Sequence, residues 1–492
     1  MKLRYILEQL TEKEVSGAVK DITIQGIAYD HLRIKPGFIY VAINIYTQLD
    51  KVEIPDGHER VHQAIDNGAV AIVVQRDIPV PENITRVVVP DSRYALAILA
   101  DTFYEHPSRN MKLLAVTGTN GKTTTTHIVE NILIQKYKIG LIGTLYYKLQ
   151  GVVHHSKDTT PEPPDLQAIF KQMADREFDY CVLEASSHGI DFHRLDGCKF
   201  DVAAFTNLSQ DHLDYHKTME NYLETKTRLF RWLDQDKYAV INIDDPVAQR
   251  FIRATKANIL TYGIETRADV MAKNIQLGIQ KTQYHLVSPM GEIEIESRLV
   301  GGFNVYNALA AVAMCLTQNV DLETIKSGLE SKVQVAGRFE LVDKGQDFSV
   351  VVDYAHTPDG LENVLKLARE LKPKRLVTVF GCGGDRDQEK RPLMGQIASN
   401  YSDDIIITAD NPRNEDPAVI SQQIARGITG DNYKIILDRR EAIKQALSNA
   451  QSGEIIMICG KGHETTQTVG NHTYHFNDVE VAAELLEKLG KG

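Results

Sequence analysis

Residues 113–126 read LLAVTGTNGKTTTT: an apolar run, a turn with two glycines, then a stretch rich in hydroxyls. Leu113–Val116 suits a strand buried on both faces, and the residues from Lys122 onward suit a helix. A strand that enters a helix through such a turn brings backbone N–H groups and the positive end of the helix dipole to one point. That pattern indicates an α/β fold whose ligands lie beyond the carboxyl ends of parallel strands. Gly118, Thr119, Asn120, Gly121, Lys122, Thr123 and Thr124 are therefore candidates to hold phosphate. Lys122 would reach the β- and γ-phosphates, and the Thr123 hydroxyl would bind Mg²⁺. Only two residues separate Gly118 from Gly121, where the common phosphate loop has four. Taken alone, the turn also fits a glycine that caps a helix, and it does not separate a hydrolase, a kinase and a ligase.

The other elements surround this turn. A chain of 492 residues suggests about three domains at roughly 100–200 residues each. Residues 1–108 read as a small α/β unit, with short strands such as Phe38–Ile43 and Ala71–Val74. Tyr104–Met111 contains Pro107, Ser108 and Asn110 and reads as a linker. Residues 109–336 form the central unit, in which strand and loop alternate to about residue 300. A third pattern runs from Gly337 to the end. Its apolar runs Phe348–Val352, Arg375–Phe380, Asp404–Thr408 and Glu454–Cys459 are each followed at once by a polar or glycine-rich loop. Such runs suit a parallel sheet covered on both faces, so DYAHTPD, GCGGDRD, ADNPRNEDP and GKGHE are the loops placed to bind ligand. There is no internal repeat and no low-complexity tract.

Composition excludes several classes. A net charge of −11 argues against non-specific nucleic-acid binding, which needs many Lys and Arg contacts to phosphate. No run approaches the roughly 18 apolar residues of a membrane helix. The opening MKLRYILEQLTEKEV acquires acidic residues at once and reads as an amphipathic helix, not a signal peptide. The five cysteines Cys181, Cys198, Cys315, Cys382 and Cys459 form no C-x-x-C pair and read as buried thiols of a cytoplasmic protein.

Three segments offer metal ligands. Glu184 ends the apolar run Tyr180–Leu183, the expected place for a Mg²⁺ ligand beside a phosphate loop. Asn207–Tyr215 offers Asp211, His212 and Asp214. Lys226 lies in a helical stretch, ENYLETKTRLF, and reads first as a solvated lysine. An ammonium cannot ligate a cation, so Lys226 could join a metal site only as a carbamate formed with CO₂.

Taken in order, GTNGKTT, EASSHG, NLSQDHLDYH with YLETKTRLF, FNVYNALAA, GRFE, DYAHTPD, GCGGDRD, DNPR and GKGHE resemble the Mur ligases of peptidoglycan synthesis, from about residue 110 to 480. The resemblance is closest to the members that add the third residue of the stem peptide. It implies three domains: a small α/β N-terminal domain, a central P-loop mononucleotide-binding domain and a C-terminal Rossmann-like domain. It also implies ATP-dependent amide-bond formation through an acyl phosphate, with UDP-N-acetylmuramoyl-L-alanyl-D-glutamate and meso-diaminopimelate as substrates and a monomeric enzyme. Gly118 to Thr124 would hold the ATP phosphates, with Asn304 and Asn307 at the nucleotide and Arg338 and Asp353 reaching it from the third domain. Thr123, Glu184 and His212 would serve Mg²⁺, and Lys226 falls where the family has a carbamylated lysine. Thr159, Thr160, Ser186 and Arg194 match positions that bind the UDP-sugar peptide, and His356 would lie in the cleft. Arg386, Asp410, Asn411, Pro412, Arg413, Gly460 and Glu464 match positions around the incoming amino acid. The Arg413 guanidinium would take its distal carboxylate, and Asp410 and Glu464 its distal ammonium.

Two stretches depart from the family pattern. Tyr29–Gly37 has His31 and Leu32 where a serine and an arginine are usual, and Asn44–Pro55 lacks a glycine-bearing loop. Phe192 stands where a glutamine is common. Three activities therefore stay open: the diaminopimelate-adding ligase, a ligase of the same mechanism with L-lysine or a folate-type acceptor, and a non-ligase nucleotide-binding module. Folylpolyglutamate synthetases share the short phosphate loop but not the DNPR and GKGHE pair.

Overall fold

The computed structural model describes residues 1–17, 22–43, 56–149, 151–154, 156, 158–278, 281–331 and 337–490. The segment Asn44–Pro55 and the Asp214 side chain lie outside the described residues. The architecture is α/β, with one principal sheet in each third of the chain.

The first sheet has five strands, ordered Glu14–Ser16, Thr85–Val88, Ala69–Val74, Phe38–Val41 and Gly26–Ala28, parallel except for the first. The opening helix is shorter than its sequence suggests. Leu3, Ile6, Leu7 and Leu10 keep helical spacing, but the next positions on that face are Lys13 and Glu14, so the helix ends at Glu8. Glu14–Ser16 instead pairs with Thr85–Val88 and covers that sheet edge. The segment read as a linker is packed. Pro107–Asn110 forms a 3₁₀ turn with Pro107 and Ser108 buried, and the Ser108 hydroxyl accepts from the Lys199 N–H at 3.2 Å.

The second sheet carries eleven strands. Its parallel centre runs Asn258–Gly263, Tyr238–Asn242, Val202–Phe205, Lys112–Thr117, Tyr180–Glu184 and Ile139–Ile142. Antiparallel ribbons close both edges: Tyr147–Leu149 with Val152–His154, and Val270–Leu277 with Thr282–Ser288 and Gly291–Ser297. One face packs on the helices Lys122–Leu133, Gly302–Leu316 and Leu322–Glu330. The other packs on Pro163–Asp175, Met219–Arg231 and Ala248–Ala254.

The third sheet runs Glu340–Leu341, Ser349–Asp353, Ile455–Cys459, Leu376–Phe380, Asp404–Ile407 and Tyr433–Ile435, parallel apart from its first strand. Helices cover both faces, so Ile455–Cys459 and Leu376–Phe380 are buried along their whole length, as continuous apolar runs require. The four loops singled out in sequence all leave the carboxyl ends of parallel strands. The lobes touch. Leu277, Val300 and Phe303 of the second pack into the core of the third, and Tyr29 and Arg33 of the first bond to Asp165 of the second. All five cysteines are buried and free. Among the described residues, no helix is long and apolar enough to cross a membrane.

The third lobe is pinned by a buried ion pair. Arg439 grips Asp478 through two hydrogen bonds of 2.8 and 2.7 Å and donates to the Cys459 carbonyl at 3.0 Å. Asp478→Ala would strip the buried guanidinium of its hydrogen-bonded counter-charge, leaving only the more distant Asp410. It should destabilise this lobe by about 3–5 kcal/mol. Urea unfolding measures this; a loss below about 1 kcal/mol would mean that water reaches the pair.

Candidate active site

The phosphate loop follows the strand Lys112–Thr117 and enters the helix Lys122–Leu133 through Gly121, which is left-handed at φ +86. Gly121 has a second reason to be glycine: a Cβ there would overlap the Asn307 side-chain oxygen. The loop is tied to the strand end Thr206–Ser209. Thr119 N–H donates to the Asn207 carbonyl at 2.9 Å, and Asn120 N–H to the Asn207 side chain at 3.0 Å. The Ser209 N–H donates to the Thr119 hydroxyl at 3.0 Å. The Lys122 ammonium folds across the loop, donating to the carbonyls of Gly118 at 2.9 Å and Thr119 at 2.7 Å. Burial lowers its pKa, opposed by the charges of Glu184 and Asp211.

Glu184 joins this loop to a second wall. Its buried carboxylate accepts the Thr123 hydroxyl at 3.0 Å, the Thr144 N–H at 2.9 Å and the Thr144 hydroxyl at 3.0 Å. Thr144 also meets the Thr159 hydroxyl at 3.1 Å. The Glu184 carbonyl accepts the Thr160 hydroxyl at 2.8 Å, and Thr160 in turn touches the Ser186 hydroxyl at 3.0 Å. Arg194 closes the wall. It donates to the Thr160 carbonyl at 2.7 Å and pairs with Asp158 at 3.2 Å and Glu162 at 2.8 Å. Thr159, Thr160, Ser186 and Arg194 thus gather on one side of Glu184. Phe192 lies beside them, with the Arg93 guanidinium 4.4 Å from its ring centre.

Lys226 is not a solvated lysine. It is fully buried on the helix Met219–Arg231, donates to the Gly118 carbonyl at 2.8 Å and lies 4.4 Å over the Tyr222 ring. Burial first, and the Lys122 charge second, push its pKa well below the usual lysine value. His212 begins the short helix Leu213–His216 from a left-handed backbone at φ +54 and packs edge-on to His188 at 4.9 Å. Burial raises the neighbouring Asp211 carboxyl, but His212, His356 and Lys122 outweigh it and hold it below its ordinary value. Among the described residues no group of three or more His, Cys, Asp and Glu side chains forms a metal cage. The Thr123 hydroxyl and Glu184 carboxylate are the oxygen donors a hard cation takes.

The third lobe supplies the facing wall. Asn304 caps the Val300 carbonyl at 2.8 Å and receives Asn307 at 3.1 Å, so this pair abuts Gly121 from the central lobe. Asp353 is buried at its strand end, accepting the N–H groups of Phe339 at 2.7 Å and Ala355 at 2.8 Å. Burial raises its carboxyl against the Arg338 charge. Arg338 lies 4.9 Å over the Tyr354 ring, and its buried Nε has no hydrogen-bond partner among the described residues. The same ring meets His356 at 4.5 Å and His463 at 4.6 Å. Desolvation by its neighbours, with the Lys390 charge adding to it, lowers His356 to about 4, although the residue keeps an exposed surface.

A second pocket forms where the other loops of that sheet converge. Asn411 donates to Glu464 at 2.7 Å, and the fully buried Lys461 holds Glu464 at 2.9 Å and Asn411 at 3.2 Å. Asp410 faces Gly460, where a Cβ would come within 2.6 Å of its Oδ2, a buried oxygen with no partner among the described residues. Arg413, after Pro412, has a left-handed backbone at φ +50 and donates to the Gly384 carbonyl at 2.7 Å. That backbone conformation is uncommon for a non-glycine residue. Arg386 leaves the same GCGGDRD loop and donates to the Asp385 carbonyl at 3.4 Å. The loops carrying Arg386 and Arg413 are tied by buried Arg391, which pairs with Glu415 at 2.8 and 2.9 Å and bonds the Gly383 carbonyl at 3.1 Å.

Sequence reasoning missed Thr144, and it marked the segments holding Asn207, Tyr354, Lys461 and His463 without giving those residues roles. Each directly follows an apolar run or lies within a few residues of its end, which is the signal that could have found them.

Residues 116–315 match the family described as Mur ligase middle domain, and residues 337–462 the one described as Mur ligase, glutamate ligase domain. The chain is 45% identical over 498 residues to the UDP-N-acetylmuramoyl-L-alanyl-D-glutamate--2,6-diaminopimelate ligase of Bacillus velezensis, with 100% of each covered. It is similar to a solved structure of an enzyme of that same name, at TM-score 0.70 and 33% identity, covering 100% of both chains. The MurF ligase of Thermotoga maritima, solved in complex with ADP, shares the fold at TM-score 0.66 and 21% identity, over 96% of this chain and 99% of that one.

The loop geometry makes a direct prediction. Gly121→Ala forces a side chain into both a left-handed backbone and the Asn307 amide. It should weaken ADP binding at least about tenfold while the protein stays folded. Titration calorimetry measures the first and circular dichroism the second; unchanged affinity would remove the loop from the nucleotide site.

Proposed function

The chain belongs to the Mur ligase family, and on that premise we propose that it joins 2,6-diaminopimelate to the D-glutamate carboxylate of UDP-N-acetylmuramoyl-L-alanyl-D-glutamate, with ATP cleaved to ADP and phosphate. The observation that carries this reading is the cleft itself. A phosphate loop with Lys122 and Glu184 on one lobe faces Arg338, Asp353 and His356 on the next, beside an arginine-bearing pocket at Arg413. Residues 1–108, 109–336 and 337–492 correspond to the acceptor, nucleotide and amino-acid domains in this reading.

The chemistry follows from the groups present. A carboxylate is a poor electrophile at neutral pH. Its oxygen attacks the γ-phosphorus of ATP, the bond to the β-phosphate oxygen breaks, and ADP leaves. Lys122 neutralises charge on the phosphoryl group in transit, where oriented electrostatics is usually the largest effect. The amine nitrogen then attacks the acyl carbon, phosphate departs with the bonding electrons, and the nitrogen loses a proton. Holding both reactants between lobes supplies the proximity. Gly118–Thr124, Asn304, Asn307, Arg338 and Asp353 would bind ATP, and Thr159, Thr160, Ser186 and Arg194 the acceptor.

Thr123 and Glu184 fit Mg²⁺, with His212 nearby and Lys226 a ligand only as its carbamate. The ion would supply further neutralisation of phosphate charge. The depressed pKa of Lys226 supports the carbamate, because CO₂ adds to a neutral amine and not to an ammonium. Lys226→Ala should lower kcat by at least about a hundredfold, with partial recovery when a short-chain carboxylic acid is added. An unimpaired rate would remove Lys226 from the site.

Arg413 selects the amine. Its remaining N–H groups are those a distal carboxylate would take bidentately. Phosphate release with the UDP-sugar dipeptide and a panel of amines tests the whole reading. Diaminopimelate should support turnover and L-lysine should not. Arg413→Ala should raise the KM for diaminopimelate at least about tenfold while leaving that for ATP within about twofold. A wild type equally active with lysine would overturn the assignment of the amine.

A further inference from the structure

Asp359 stands in the first turn of the helix Pro358–Glu370, on the third lobe, yet its partners lie on the central lobe. Its Oδ2 accepts the Asn120 side-chain N–H at 2.5 Å and the Ser209 hydroxyl at 2.9 Å. Asn120 belongs to the phosphate loop. Ser209 belongs to the segment that braces the loop, since its N–H donates to the Thr119 hydroxyl at 3.0 Å. One carboxylate thus touches the loop and its support together. Its own position is fixed: Thr357 caps the helix through the Gly360 N–H at 3.1 Å, and the helix N-terminus favours a negative group there.

A carboxylate this close to a phosphate loop cannot serve as a phosphate ligand, because like charges repel. Its two hydrogen bonds instead fix where the third lobe rests. Leu277, Val300 and Phe303 also meet along this seam, but apolar contacts lack direction. Charge-assisted hydrogen bonds have direction and are about twice as strong as neutral ones. They are made only when the loop and its bracing segment present Asn120 and Ser209 in the right place.

We propose that Asp359 is a positioning residue that seats the third lobe on the phosphate loop, so that the cleft reaches its reactive geometry only over a correctly formed loop. This rests on the nucleotide reading given above. Arg338, Asp353 and His356 all follow the same lobe, so an error in its seating displaces the whole facing wall.

Three variants of the full chain test this: Asp359→Ala, Asp359→Asn and Ser209→Ala. Asp359→Ala should lower kcat about tenfold, with the dissociation constant for ADP alone within about twofold of wild type. Asp359→Asn, which keeps the shape and one acceptor oxygen, should recover part of that loss. Ser209→Ala should lower kcat about threefold at an unchanged melting temperature, and should add nothing further in the Asp359→Ala background, because both remove the same bond. Should Asp359→Ala fail to fold, the kcat of Ser209→Ala decides. A full rate in Asp359→Ala, or in Ser209→Ala where that variant decides, would overturn the seating role, as would fully additive losses. A wild type that is itself inactive would remove the underlying nucleotide reading instead.

Discussion

Glu184 has no exposed surface, and the cleft is arranged around keeping its carboxylate hydrogen-bonded. A buried carboxylate without partners would cost several kcal/mol, so each of its bonds fixes another piece of structure. Thr123 ties it to the first turn of the phosphate-loop helix, and Thr144 ties it to the neighbouring strand end. The Glu184 main-chain carbonyl holds Thr160, and through it Ser186 and Arg194. In the proposed reading the nucleotide wall and the acceptor wall therefore share one residue. Gly143 must stay glycine for the same reason, since a Cβ there would overlap the Glu184 side chain.

The second constraint is the Gly118 carbonyl, which receives both Lys122 and Lys226. Two ammonium groups on one acceptor repel, and both are lowered by burial. The balance falls differently on each. Glu184 and Asp211 support the charge of Lys122, whereas Lys226 has Asp211 in its favour and Lys122 against it. In the proposed reading, that difference suits one lysine to meet phosphate and the other to exist as a neutral amine. This division of labour is set by position alone, because the two side chains are chemically the same.

Much of this was legible in the sequence, and the reasons for the rest are physical. Apolar runs fix strands, and parallel strands fix where their loops point, so the phosphate loop, Glu184 and the four loops of the third lobe could be read directly. The helix around Lys226 was also readable, but its burial was not, because a lysine facing inward has the same local sequence as one facing water. The first lobe was harder to read. Its opening helix stops at Glu8, where its apolar face runs out, and Glu14–Ser16 instead pairs with Thr85–Val88 some seventy residues away, a partner that local sequence does not reveal. The supposed linker at Tyr104–Met111 is packed for a similar reason, since its Ser108 meets Lys199 across the fold. Thr144 escaped notice, and Asn207 and Tyr354 received no individual role, because their contacts come from neighbours brought in by the sheet order.

The central claim is that ATP activates a carboxylate before nitrogen attacks. The most direct measurement places heavy-isotope oxygen in the acceptor carboxylate and follows it by mass spectrometry during turnover. Passage through an acyl phosphate predicts one labelled oxygen in every phosphate released. Phosphate that carries only unlabelled oxygen, at an undiminished rate of amide formation, would contradict it.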